Sequence, residues 1–276
     1  MIDIVRISRP RFWLYLFGTY LLGLAAGAAS TADFLRADSI LFGLYFLLPA
    51  NLLVYGINDI FDFETDRLNP KKAEYEMLVR PESHKLLAIW VIVLNLPFLV
   101  AAFFIAYPAS VPLAAFLILS IFYSAPPVRA KAIPIVDSLF NILYVFPAAF
   151  AYQMLTGNFP PAIVMISGGA WTAAMHAYSA IPDIDADRSA GLSTIATLLG
   201  KTRTLAFCFV MYIAAAACAF PYLGSVAVMV GLIYIGMILV TYFREDSLFK
   251  IYSRFPILNA GVGLALFWFV AVSNLF

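Results

Sequence analysis

Long apolar runs separated by short polar loops make up almost the whole chain. A helix needs about 20 predominantly apolar residues to cross the hydrocarbon core of a bilayer. Nine runs meet or approach that length, at approximately Phe12–Ala29, Ser39–Ile60, Leu86–Tyr107, Ala109–Ser124, Val136–Leu155, Ala162–Ile181, Thr204–Phe220, Ser225–Phe243 and Ile257–Phe276. The fourth is short and carries Pro112 near its start. The pattern predicts an all-α polytopic membrane protein with nine transmembrane helices. It forms one integral membrane domain over residues 1–276, with no linker or low-complexity segment. The first run ends in an Ala-Gly-Ala-Ala-Ser string that resembles a signal-peptidase site. Its span length and its place in the parity count predict that it is retained.

The polar positions test this segmentation independently. With nine spans, the N-terminus and the loops at 63–85, 124–135, 182–203 and 244–256 share one side of the membrane. Every lysine and arginine except Arg36 falls there. Basic residues concentrate on the cytoplasmic side, so the N-terminus is expected in the cytoplasm, in a multi-pass cell-membrane protein.

Composition closes off the other classes. The chain is 63% hydrophobic and 12% charged, against roughly half and a quarter in soluble domains. The short basic loops offer no nucleic-acid footprint. Cys208 and Cys218 lie ten residues apart in one run. On a helix that is about 15 Å, too far to bridge.

Two acidic segments break the apolar pattern. The second run ends in Asn58-Asp59-Ile60-Phe61-Asp62-Phe63-Glu64-Thr65-Asp66-Arg67, and the sixth in Pro182-Asp183-Ile184-Asp185-Ala186-Asp187-Arg188. Each closes the second helix of a four-span group. The simplest organisation is therefore two four-helix halves plus a ninth span around a central cavity, with the acidic ends facing each other. Asp59, Asp62 and Asp66 are spaced to share one helical face, nearly the same face as Asn58. Asp183 and Asp187 are one turn apart, and Asp185 points away if its segment is helical. Carboxylates at span ends are costly, and stacked on one face they repel unless a cation joins them. Hard oxygen ligands suit Mg²⁺, which binds through a few carboxylates plus substrate phosphates. The predicted metal ligands are Asn58, Asp59, Asp62, Asp66, Asp183 and Asp187. Arg67, Arg129, Lys131 and Arg188 supply compensating charge and phosphate-binding chemistry, or else anchor their spans. A membrane transporter on the same two-half plan is the competing class, but it requires polar groups at the bilayer midplane, which these runs mostly lack.

At these residues the sequence resembles the UbiA superfamily of intramembrane prenyltransferases. Asn58-Asp59-x-x-Asp62-x-x-x-Asp66 and Asp183-x-x-x-Asp187 match its two aspartate motifs. Tyr123-Ser-x-Pro-Pro-x-Arg129-x-Lys131 matches its connecting signature. A narrower likeness, to the lycopene elongase branch, rests on three strings: Ser8-Arg-Pro-Arg-Phe-Trp-Leu-Tyr15, Asn69-Pro-Lys-Lys72 and Met175-His-Ala-Tyr-Ser-Ala-Ile-Pro-Asp183. The resemblance implies Mg²⁺-dependent transfer of a prenyl group, such as dimethylallyl, from its diphosphate to a lipophilic acceptor within the bilayer. The elongase likeness makes that acceptor the terminal double bond of lycopene, with proton loss or water capture to follow. The wider family implies a quinone precursor or a glycerol-lipid hydroxyl instead. Asp62, Asp66, Asp183, Asp187, Tyr123 and His176 are the implied catalytic residues. Asn58, Arg67, Arg129, Lys131 and Arg188 are the implied substrate contacts, and Arg9 and Arg11 either join them at a head group or anchor the first span. His176 is either a proton acceptor two turns from Asp183 or a hydrogen-bonded core histidine.

Overall fold

The computed structural model describes residues 2–67, 77–244 and 248–276. Apart from three four-residue helices (Ile4–Ile7, Phe63–Asp66 and Val136–Leu139), its α-helices among the described residues, in chain order, are α1 (Trp13–Gly27), α2 (Ala37–Leu47), α3 (Pro49–Phe61), α4 (His84–Ile105), α5 (Ser110–Ser124), α6 (Phe146–Thr156), α7 (Ala162–Ala180), α8 (Ile184–Ser189), α9 (Ile195–Leu223), α10 (Ser225–Phe243) and α11 (Leu248–Leu275). No strand occurs among the described residues. The Asn69–Lys72 string lies outside them.

Seven helical stretches among the described residues are long and apolar enough to cross a membrane: Ala37–Phe61, Pro81–Phe104, Tyr107–Ser124, Val136–Thr156, Ile195–Leu223, Ser225–Phe243 and Leu248–Leu275. The other two expected spans are helical but differ from the expectation. α1 has only 15 residues. α7 has 19, but Gly168, Gly169, Thr172, His176 and Ser179 dilute its apolar content. The outward side chains are apolar, among them Ile92, Phe103, Phe104, Leu232 and Trp268. Such surface is stable only against lipid, and the chain is a multi-pass membrane protein.

The chain forms two compact units. One comprises Met1–Val128, Phe146–Pro160 and Gly263–Phe276, and the other Arg129–Val145 and Pro161–Val262. The sequential division into four, four and one is thus not how the chain partitions, because α6 and the end of α11 join the first group. Small residues explain the exchange. A Cβ added at Gly23 on α1 would fall 2.2 Å from the Ala148 carbonyl oxygen, and one at Gly27 would press on the Tyr152 backbone at 3.2 Å. Such close approach at small residues is the usual device of membrane helix contacts. Phe150 of α6 packs edge-on against Phe42 and Phe46, with ring centroids 4.7 and 5.7 Å apart. Asn274 near the end of α11 donates to the carbonyl oxygens of Ala25 and Ala28.

Pro49 breaks the second span between α2 and α3, since it cannot donate and its ring crowds the preceding turn. The carbonyls exposed by the break are met within the unit. Asn51 Nδ2 donates to Phe46 and Leu47 at 2.9 and 3.0 Å, and Asn95 Nδ2 donates to Pro49 at 3.0 Å. These buried amides satisfy the backbone where no water reaches.

In the second unit α7 packs on α9. Ser167 Oγ donates to the Ala215 carbonyl at 2.8 Å, and Cys208 Sγ donates to that of Ala174. The Tyr212 and Tyr234 rings stack at 4.7 Å, and the Tyr234 hydroxyl donates to Asn259 at 2.8 Å. The Tyr178 hydroxyl lies 3.0 Å from that of Thr241.

Candidate active site

The first acidic segment does not continue α3 as one helix. Asp62 ends it with φ −111° and ψ 10°, in the sparsely used region between helix and strand where active-site residues often sit. A short helix, Phe63–Asp66, then restarts. The Asp62 carbonyl accepts from the Thr65 and Asp66 N–H groups at 3.0 and 2.8 Å and from the Thr65 hydroxyl at 2.8 Å, which fixes the joint. The expected continuous face of Asp59, Asp62 and Asp66 is therefore interrupted. The pair at i and i+4 survives: Asn58 Nδ2 donates to the fully buried Asp62 carboxylate and reaches Ser124 Oγ at 3.1 Å.

Asp59 is almost wholly buried, and Arg9 meets it in an ion pair of 2.9 Å. Arg9 also reaches Asn58 Oδ1 at 3.5 Å, and its guanidinium lies over the Tyr55 ring, 4.6 Å from the centroid. Ser8 steadies this N-terminal turn, its hydroxyl donating to Val5 and accepting from Trp13 Nε1. Sequence reasoning treated Arg9 and Arg11 alike, as head-group contacts or anchors of the first span. Arg11 is exposed, its guanidinium 5.7 Å from the Phe12 ring centroid.

The second acidic segment repeats the joint. α7 stops before Pro182, and Ile181–Asp183 forms one 3₁₀ turn. Asp183 takes φ −97° and ψ 1° at the start of α8. Asp183 and Asp187 are half-buried, and Asp185 is exposed, as its helical phase predicts. Asp187 is held through its backbone, where its carbonyl accepts from Leu192 N–H at 2.8 Å. Thr194 Oγ1 lies 3.5 Å from its carboxylate.

The predicted basic residues fall into two groups. Arg67 is exposed and pairs with Glu64 at 2.9 Å, and Arg188 is exposed and reaches the Thr197 carbonyl at 3.3 Å. Arg129 and Lys131 are half-buried around a short 3₁₀ turn, Ala130–Ala132. Tyr123 is half-buried on the last turn of α5.

A further acid was passed over in the sequence. Asp137 is fully buried on the short helix Val136–Leu139. Its Oδ2 accepts from the Ile195 N–H at 2.9 Å and lies 3.7 Å from His176 Nε2. The signal was present: a carboxylate inside an apolar run is by default a functional candidate. Among the described residues no three His, Cys, Asp or Glu side chains form a ready-made metal cage. The donor set is one of hard oxygens in two short segments, each with a buried or half-buried carboxylate at a helical joint.

The chain is similar over most of its length to proteins of known character. The model of the UbiA prenyltransferase family matches residues 16–252. The lycopene elongase/hydratase of Halobacterium salinarum is 40% identical over 270 residues, covering 98% of this chain and 92% of that protein. Its namesake in Haloferax volcanii is 36% identical, covering 94% and 85%. A UbiA homologue from Archaeoglobus fulgidus, solved with DMAPP and Mg²⁺, superposes with a TM-score of 0.69 at 20% identity, over 96% of this chain and 99% of that one. A break at an acidic residue closing two separate helices thus stands in a chain matched over most of its length, which makes it a prenyltransferase of the UbiA family.

Proposed function

We propose that this enzyme transfers a dimethylallyl group from its diphosphate to the terminal double bond of lycopene. The observation that carries the reading is the twinned acidic joint, Asn58–Asp66 in one unit and Asp183–Asp187 in the other. Both are rich in hard oxygen donors and both lie at the ends of membrane helices. Mg²⁺ is the metal these donors fit, and when bound it would neutralise the charge of the leaving diphosphate. Asn58, Asp59, Asp62 and Asp66 would be the ligands from the first joint, and Asp183 and Asp187 those from the second, each joint taken by itself. Arg129 and Lys131 bind diphosphate oxygens, with Arg67 and Arg188 at the exposed rim. Tyr123 offers a ring face to the allylic cation.

The donor C–O bond breaks with its electron pair leaving on diphosphate. The acceptor π pair then forms the new C–C bond, and a tertiary cation is left on the acceptor. An apolar surrounding keeps water from quenching the allylic cation first. The carotenoid acceptor is favoured by the two elongase/hydratase relatives and by the state of Arg9. An aromatic-acid acceptor needs a cation for its carboxylate, and Arg9 is engaged by Asp59. The basic loops support an N-terminus in the cytoplasm, on the side where they gather.

The test is purified protein in detergent with Mg²⁺, dimethylallyl diphosphate and either lycopene or 4-hydroxybenzoate. Lycopene should gain prenyl mass, and a chelator should abolish the gain. Asp62→Ala and Asp187→Ala should each lower turnover by about a thousandfold while still inserting. Prenylation of the benzoate alone would remove the carotenoid acceptor, and wild-type turnover by either variant would remove the metal-ligand assignment.

A further inference from the structure

Asp137 is a carboxylate with no exposed surface inside an apolar bundle, a position that demands compensation. Its hydrogen bond from Ile195 N–H, at 2.9 Å, caps the first turn of α9. That cap does not need a charge. Thr194 already accepts from Thr197 N–H in a capping box, and the carbonyl of an asparagine would serve Ile195 equally. Oδ1 has no hydrogen-bond partner among the described residues. The remaining feature that answers to the charge is His176, whose Nε2 is 3.7 Å from Oδ2. That separation leaves no room for a water between them, and a small rotation of either side chain closes it to a hydrogen bond. The His176 side chain keeps 22% of its surface exposed, so it is reachable where Asp137 is not.

We propose that Asp137 is a positioning residue. It orients His176, making the imidazole the base that deprotonates water as water adds to the acceptor cation. The inference rests on the prenyl-transfer reading above and deepens it. With Nε2–H directed at Asp137, Nδ1 takes the proton. The water oxygen donates a lone pair to the tertiary carbon, forming a C–O bond. One O–H bond breaks with its pair remaining on oxygen, and the proton passes to Nδ1 and later to solvent. The sum is acceptor, prenyl diphosphate and water giving hydroxylated prenyl acceptor, diphosphate and a proton. Without the base, the cation instead sheds a proton from a neighbouring carbon and leaves an alkene. The dyad thus sets the ratio of hydrated to alkene product, in the way a buried aspartate serves a catalytic histidine elsewhere.

The experiment reads that ratio by mass, the two products differing by one water, for wild type, His176→Gln, Asp137→Asn, Asp137→Glu and the His176→Gln/Asp137→Asn double variant. His176→Gln and Asp137→Asn should each lower it by about tenfold or more. The double variant should be no lower than His176→Gln alone, and Asp137→Glu should recover part of the loss. A purely structural Asp137 would lower yield or melting temperature and leave the ratio alone. His176→Gln spares the helix cap, so it decides the matter even where Asp137→Asn is poorly folded. An unchanged ratio in His176→Gln, independent losses in the double variant, or a wild type that makes alkene alone overturns the inference while leaving prenyl transfer standing. A wild type that prenylates no lycopene overturns the function itself.

Discussion

Arg9 holds a backbone conformation that L-residues rarely adopt, φ 54°, at a cost of about 1 kcal/mol. Arg129 does the same, φ 45°. Each precedes a three-residue 3₁₀ turn, and each opens the stretch that ends in its unit's acidic joint. The interval from Arg9 to Arg129 matches those from Asp62 to Asp183 and from Asp66 to Asp187 to within one residue. For Arg9 the return on the strain is visible in its ion pair with Asp59, whose side chain is 3% exposed. Removing one member of a buried pair strands the other and costs about 3 kcal/mol. Arg9→Ala should therefore lower the melting temperature in the absence of divalent metal. Mg²⁺ should restore more of it than it adds to wild type, because a cation binding the stranded carboxylate stabilises only the folded chain. Melting curves in detergent with and without Mg²⁺ check this. Equal increments in the two proteins would mean that Arg9 and the metal act on different carboxylates.

At the scale of elements, the contact of α1 with α6 decides how the chain partitions. An added Cβ at Gly23 would fall on the backbone carbonyl of Ala148, which cannot move aside as a flexible side chain can. Gly23→Ala should cost about 3 kcal/mol. Gly18→Ala on the same helix meets nothing within 4 Å and should stay within about 1 kcal/mol of wild type. A melting-temperature comparison of the two separates packing from helix propensity. Apolar run length revealed the helices but not their pairing, because hydropathy carries no information about which helix a small residue will admit. The acidic joints were legible as composition, since Asp59, Asp62, Asp183 and Asp187 stand out against apolar neighbours. Their broken backbone was not, because the local spacing suited a continuous helix equally well. Arg9 reaches Asp59 across fifty positions of sequence, which no local pattern encodes. Asp137 was absorbed into the run that begins at Val136, so its partner His176 was read without it.

For the whole molecule, the placement of charges predicts the orientation in the bilayer. If all nine expected spans cross, 16 of the 17 lysines and arginines fall on one side, and the exception is Arg36. Arg36 is not a bare counter-signal. It donates to Asp38 at 2.6 Å and lies 3.9 Å from Asp33, and the hydrogen bond to Asp38 raises its pKa further. Its charge is thus neutralised locally, which weakens its pull toward the cytoplasm. The first hairpin should then expose the loop around Ala32 outside the cell and the segment around Glu82 inside it. Both residues are exposed in the structure, so a cysteine at either is reachable by a reagent on its own side. The native Cys208 and Cys218 both lie within α9 and are replaced by alanine for the measurement. A membrane-impermeant maleimide should label Ala32→Cys in intact cells, and Glu82→Cys only after permeabilisation. The reverse pattern would place the N-terminus and both acidic joints outside, away from a cytoplasmic supply of prenyl diphosphate. Labelling of both sites in intact cells would mean that the α2–α3 stretch, the segment that lies between them, fails to cross.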